Sequence, residues 1–208
     1  MSNNNCSEAS RLEELWAGRF GEQYLARNDQ SFDYRKPFWN KILKWTDPER
    51  ILEVGCSLGG NLMWLRSSNR EVWGLDVNAE ALRIAKERYP DIRTVLGAAR
   101  ILPFENDFFD LVISAGVLIH QPEDALSDVM SEMVRCSNRY VLSAEYHADE
   151  VTEVEYRGVE GALFKRDYGA IFSDSFPLRL QRTGYLAREA TGWDDVTWWL
   201  FEKTAELD

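Results

Sequence analysis

Residues 50–61 read Arg-Ile-Leu-Glu-Val-Gly-Cys-Ser-Leu-Gly-Gly-Asn, and no other stretch constrains the fold as strongly. Ile51, Leu52 and Val54 form a short apolar run, the pattern of a strand buried on both faces. The run stops at Gly55. Gly59 and Gly60 follow, and Leu62, Trp64 and Leu65 resume at helical spacing. The stretch therefore predicts strand, glycine-bearing turn, helix. Glycine lets a backbone approach a ligand closely and takes dihedrals that other residues avoid. A second apolar run, Val72-Trp73-Gly74-Leu75, ends on Asp76, with Val77 beyond it. An acidic residue about 20 positions after the first glycine turn is the arrangement that reads ribose hydroxyls in doubly wound folds.

Dinucleotide folds need Gly-x-Gly-x-x-Gly at that turn, so that a pyrophosphate can sit on the helix N-terminus. Gly55, Ser57, Gly59 and Gly60 do not give that spacing. The turn resembles instead the Glu/Asp-x-Gly-x-Gly-x-Gly pattern of class I S-adenosylmethionine (SAM) dependent methyltransferases. Glu53, Gly55 and Gly59 match it, and Ser57 stands in place of the middle glycine.

Strand and helix patterns alternate through the middle of the chain. Strands are expected at residues 71–76, 92–96, 109–114 and 139–144, and helices after Asn78 and over residues 123–135. This is the α/β alternation of a parallel sheet with helices on both faces. Before the first strand come three helical patterns, through Leu12-Leu15-Trp16, Phe20-Tyr24-Leu25 and Phe38-Trp39-Ile42-Leu43-Trp45. Arg27-Asn28-Asp29 reads as a turn, and residues 1–10 as a polar, frayed start. These helices either cover an edge of the sheet or form a lid over a crevice at the strand ends. Near the other end, residues 164–168 read as the start of a helix. Residues 178–190 and 196–203 read as two strands. The resemblance implies a class I methyltransferase (Rossmann-like) doubly wound sheet of strand order 3-2-1-4-5-7-6, strand seven antiparallel. One domain is expected, with a helical cap (1–48), a SAM-binding core (49–147) and an acceptor cap with hairpin (148–208).

Net charge is −11, with 24 Lys and Arg against 35 Asp and Glu. So acidic a chain lacks the footprint for non-specific nucleic-acid binding. Cys6, Cys56 and Cys136 fit neither a disulfide framework nor a zinc site, and no metal is expected. No apolar run is long enough to span a bilayer, and the first residues lack the pattern of a signal peptide. A cytoplasmic protein is expected, without a membrane partner.

The resemblance assigns cofactor contacts to Glu53, Gly55, Cys56, Ser57, Gly59 and Asn61 along the methionine tail. It assigns Asp76 and Val77 to the ribose, Ala98 and Ala99 to the adenine, and Ser114, Ala115 and Gly116 to the methionine moiety. His120 follows the fourth strand and His147 the fifth. Either suits a general base near neutral pH, and either also suits a structural or exposed loop role. Tyr156, Arg157, Lys165 and Arg166, with Tyr24, Arg27 and Tyr146, are candidate acceptor contacts. Arginine suits bidentate capture of carboxylate. The alternative for the basic group is ion pairing with Asp149, Glu150, Glu153, Glu155 and Asp167.

Terminal segments sharpen the resemblance. Leu15-Trp16-Ala17-Gly18, Glu155-Tyr156-Arg157-Gly158, Leu163-Phe164-Lys165-Arg166-Asp167-Tyr168 and Asp194-Asp195-Val196-Thr197-Trp198-Trp199 are similar to methylases associated with pseudaminic acid biosynthesis. That similarity implies O- or N-methylation of a small, anionic acceptor such as a sugar acid or its precursor. Two rivals stand beside it: a non-catalytic SAM-binding or regulatory protein, and a nicotinamide-dependent dehydrogenase.

Overall fold

The structure is a computed structural model that describes residues 7–28, 31–67 and 69–204. Three helices come first: α1 (Glu8–Ala17), α2 (Arg19–Asn28) and α3 (Lys36–Thr46). Then follow β1 (Arg50–Val54), α4 (Leu62–Leu65), β2 (Glu71–Asp76), α5 (Ala79–Arg88), β3 (Arg93–Leu96), β4 (Phe109–Ala115), α6 (Glu123–Cys136) and β5 (Ser137–Glu145). The last part holds β6 (Thr152–Tyr156), β7 (Val159–Lys165), α7 (Tyr168–Ser175), β8 (Leu178–Leu186), α8 (Arg188–Thr191) and β9 (Val196–Lys203).

Seven strands form one sheet in the order β3-β2-β1-β4-β5-β9-β8. The first five are parallel, and β9 runs antiparallel between β5 and β8. This is the class I methyltransferase fold, and the order is the expected one, with β8 and β9 as sixth and seventh strands. Alternate strand residues feed two cores. Leu52, Val54, Trp199 and Phe201 face Val129, Met130 and Met133 of α6 with Phe172 of α7. Ile51, Trp198 and Leu200 face Trp39 and Ile42 of α3, Leu62 and Leu65 of α4, and Leu82 of α5. Burial on both faces is why the central strands read as continuous apolar runs.

Three local expectations are corrected. Arg27 and Asn28 are the last turn of α2, not a loop; Asp29 and residues 1–6 lie outside the described residues. Residues 164 and 165 end strand β7, which pairs antiparallel with β6 in a separate two-stranded sheet, and the helix starts only at Tyr168. Asp167 caps that helix by accepting the Ala170 N–H at 2.9 Å. Strand β8 ends at Leu186, and the short helix α8 replaces its expected extension.

Candidate active site

The sheet reverses direction of growth between β1 and β4, and open α/β sheets bind ligands at that point, beyond the carboxyl ends of the strands. A cavity of about 170 Å³ lies there. Its wall takes Glu53 to Ser57 from the end of β1 (Val54 excepted), Asp76 and Val77 from β2, Gly97 and Ala99 after β3, and Ala115 to Val117 after β4. Helix α1 adds Leu12, Glu13 and Trp16, and α2 adds Tyr24.

The glycine turn has the backbone its sequence demands. Gly55, Ser57 and Gly59 all have positive φ, at 69°, 46° and 74°. Ser57 thus occupies a left-handed conformation at the place where the pattern has glycine. A Cβ at Gly55 would stand 2.4 Å from Val117 Cγ2, so turn and loop touch at backbone range. Asp76 ties the turn to the end of β2. Its Oδ2 accepts the Ser57 N–H and its Oδ1 the Asn78 N–H, each at 2.8 Å. Each carboxylate oxygen keeps a second lone pair for a ligand hydroxyl. Burial raises the pKa of Asp76, and these backbone donors pull against the rise.

The amide of Asn61 organises the far end. Its Nδ2 donates to Glu53 Oε1 at 2.5 Å, while its Oδ1 accepts from Arg35 Nη1 at 2.9 Å and Trp39 Nε1 at 3.1 Å. One amide therefore bridges a carboxylate and a guanidinium, both in the cavity wall. Glu53 is buried, and its Oε2 has no partner among the described residues. Burial pushes its pKa up to about 8, against the pull of Asn61 and Arg35. An unpaired buried carboxylate oxygen is costly unless a cation meets it. A zwitterionic amino acid fits the pair, with its ammonium on Glu53 and its carboxylate on Arg35. The residues present thus fit the methionine end of SAM, and Asp76 suits its ribose. Arg35 rests over the rings of Phe32 and Trp193, at 4.7 and 4.9 Å from their centroids, which fix its plane.

His120 closes the other side. Its Nδ1 lies 2.5 Å from the Ala162 carbonyl oxygen of β7. A carbonyl only accepts, so Nδ1 carries the hydrogen and Nε2 keeps a lone pair. Burial drives its pKa down to about 4, which keeps the ring neutral at physiological pH. Its ring packs on Trp16 at 4.5 Å and Tyr156 at 5.2 Å between centroids.

Of the expected cofactor residues, the cavity wall includes Glu53, Gly55, Cys56, Ser57, Asn61, Asp76, Val77, Ala99, Ala115 and Gly116. Gly59 stands behind the turn against Tyr89, and Ala98 is not among the wall residues. Ser114 is fully buried between strands, 3.2 Å from Ser143 Oγ. His147 is not in the cavity. It is exposed, with Nε2 3.8 Å from Asp149 and 3.7 Å from Asp167. Of the acceptor candidates only Tyr24 lines the wall, with Tyr156 just behind it against Trp16 and Phe20. Arg27 is exposed. Arg157 sits exposed at the β6–β7 turn with φ 54°, and Lys165 lies over the Tyr146 ring at 5.8 Å. Tyr146 bonds Asp194. Arg166 is 3% exposed and donates to the Gln121 carbonyl at 3.1 Å, with Glu123 at 3.4 Å. It is a structural tie between β7 and α6, which is why it does not reach a ligand. Sequence reasoning missed Arg35, Trp16, Gln121 and Glu145. Trp16 belongs to α1, marked in the sequence by its aromatic residues and the Leu15–Gly18 motif, whereas Arg35 ends the 3-10 turn Asp33–Arg35 before α3, where nothing marked it.

Residues 51–139 match the family model for a methyltransferase domain. The strand order defines the class by fold, the class I methyltransferase fold, and residues 51–139 are similar to a methyltransferase domain. Among curated relatives, Methyltransferase GfsG of Streptomyces halstedii is 24% identical over 157 residues, 71% of this chain and 56% of its own. Demethylmenaquinone methyltransferase of Renibacterium salmoninarum is 32% identical over 84 residues, 39% of this chain and 35% of its own. The chain spans between about a quarter and just over half of the length of the first curated relatives it matches. Similar solved structures include magnesium protoporphyrin IX methyltransferase (ChlM) of Synechocystis with bound SAM. Its TM-score is 0.72 at 13% identity, covering 98% of this chain and 100% of that one. The 1,6-didemethyltoxoflavin-N1-methyltransferase of Burkholderia thailandensis gives a TM-score of 0.74 at 13% identity, covering 99% and 94%.

Proposed function

We propose that this protein is an enzyme that transfers a methyl group from SAM to a small-molecule acceptor. The observation that carries the reading is the Glu53–Asn61–Arg35 relay, a carboxyl group and a guanidinium held by one amide beside Asp76 and the glycine turn. The relatives' methyltransferase names agree with it. When bound, SAM supplies a methyl carbon activated by its sulfonium. The chain's own residues then orient the acceptor, exclude water and accept a hydrogen. His120 Nε2 is the acceptor for that hydrogen. With a pKa near 4 it is a weak base, so it aims the nucleophile more than it deprotonates it.

The lone pair on His120 Nε2 suits a hydroxyl or amine nucleophile on a body lying among Leu12, Trp16, Ala99 and Val117. The sugar acid expected from the pseudaminic-type resemblance would need a cation at the wall. Of the described lining residues only Arg35 is one, and this reading places it on the cofactor carboxylate. Glu13, the remaining charge at that end, is paired with Arg100 at 2.6 Å. A neutral acceptor is therefore our reading. In it the described residues of 1–48 act as a lid and bring Arg35 to the cofactor, those of 49–147 make the other cofactor contacts, and those of 148–208 support His120 through Ala162. The expected cytoplasmic setting belongs to this proposal as well; among the described residues no helix is long and apolar enough to cross a membrane.

Incubation with methyl-labelled SAM and two acceptor panels tests it, one of phenolic, hydroxyl and amine heterocycles and one of sugar acids. Label transfer to the neutral panel is expected. Transfer confined to sugar acids would overturn the acceptor reading. SAM bound without transfer to any class would favour a binding protein instead.

A further inference from the structure

Glu145, at the end of β5, has no exposed surface and lies outside the cavity wall, yet three backbone donors converge on it. Its Oε1 accepts from Val117 N at 3.3 Å and Leu118 N at 3.2 Å, and its Oε2 from Ile119 N at 3.3 Å. These N–H groups open a single 3-10 turn, Leu118–His120, where no helical partner exists for them. Unanswered, each would be a buried donor without an acceptor. The turn bears two wall residues, one at each end. Val117 meets the glycine turn at Gly55, and His120 meets the acceptor side.

We infer that Glu145 is a positioning residue, a carboxylate that fixes the β4–α6 turn so that Val117 braces the cofactor turn and His120 presents Nε2 to the acceptor. The inference rests on reading the cavity as the SAM and acceptor site. An amide in its place offers one accepting oxygen and sets an NH2 group against backbone donors. A shorter acid keeps the charge and withdraws from the donors. The other groups near the carboxylate are the Ser114 hydroxyl and the phenols of Tyr146 and Tyr168, all neutral at physiological pH. His120 is faced by the Trp16 and Tyr156 rings and the Ala162 carbonyl, none of which carries a charge.

Glu145→Gln and Glu145→Asp test this in ligand-free protein, by following the ring nitrogens of His120 by NMR against pH. There are two histidines in the chain, and His147→Gln identifies the His120 signals. Wild type is expected to hold the Nδ1–H tautomer at pH 8, where Glu145 is ionised, and to loosen as pH falls through about 7. In the variants the turn is loosened at every pH, the Ala162 bond is lost, and the Nδ1–H preference of His120 is gone at pH 8 as well. S-adenosylhomocysteine affinity, measured calorimetrically, is expected to fall about tenfold in the same variants. An unchanged Nδ1–H preference of His120 at pH 8 in either folded variant overturns the inference. Failure of both variants to fold also counts against it, because Glu145 would then serve global stability. Absence of S-adenosylhomocysteine binding in wild type would instead strike the function proposed above, and the ligand-free titration still decides the role of Glu145.

Discussion

Glu53 is held by Asn61 on one oxygen and, among the described residues, by nothing on the other. Its pKa is raised from 4.5 to about 8, so between those values the native protein holds a proton that the unfolded chain has released. Stability therefore falls as pH rises through that window, by at most about 1.4 kcal/mol per pH unit for one proton. Glu145, raised to about 7, contributes the same sign over a shorter range. Thermal unfolding of ligand-free protein should show this decline. In Glu53→Gln the decline should end near pH 7 rather than pH 8. Cofactor affinity should run the opposite way, rising with pH toward 8, because the ammonium needs the carboxylate. A pH-independent affinity in wild type would remove Glu53 from the tail site. Glu53 was legible because it belongs to a local pattern. Arg35 was not, since its partner Asn61 lies 26 positions away and nothing beside it marks a ligand.

The glycine turn and the helices above it can each be tested as units. Gly55→Ala places a Cβ 2.4 Å from Val117 Cγ2 and forces φ 69° on an L side chain. A destabilisation of about 1–3 kcal/mol is expected in chemical denaturation, with S-adenosylhomocysteine binding lost. A silent substitution would show that the turn and the Val117 loop separate easily. For α1 and α2, slower amide exchange with S-adenosylhomocysteine present is expected, because Leu12, Trp16 and Tyr24 cover the cavity. Equal exchange would make them a fixed cover. The elements of the core were readable because buried parallel strands and capped helices leave local signatures, such as Asn78 accepting from Ala81 N. The β6–β7 hairpin was not. Its strands pair only with each other, their alternation is weak, and charged residues fill the exposed side. The one clue was Arg157-Gly158, two positive-φ residues between β-branched and aromatic neighbours. That omission misplaced Lys165 and Arg166 and hid the carbonyl that holds His120.

Across the whole molecule, strand order decides where chemistry can occur, and the growth reversal between β1 and β4 gathers residues from the ends of four strands into one cavity. The acidic balance of the chain, and Arg35 as the one cation among the described wall residues, are what support the proposed small, uncharged acceptor. Everything in this account depends on that cavity holding SAM through Asp76, Glu53 and Arg35. The most direct measurement is calorimetric titration of wild type and Asp76→Asn with S-adenosylhomocysteine, with NAD as the control ligand. The account predicts one S-adenosylhomocysteine bound per chain and no NAD. Asp76→Asn should weaken the binding by about 1–3 kcal/mol, the cost of charge-assisted hydrogen bonds to the ribose. Binding of NAD alone, or an unchanged affinity in a folded Asp76→Asn protein, would contradict it.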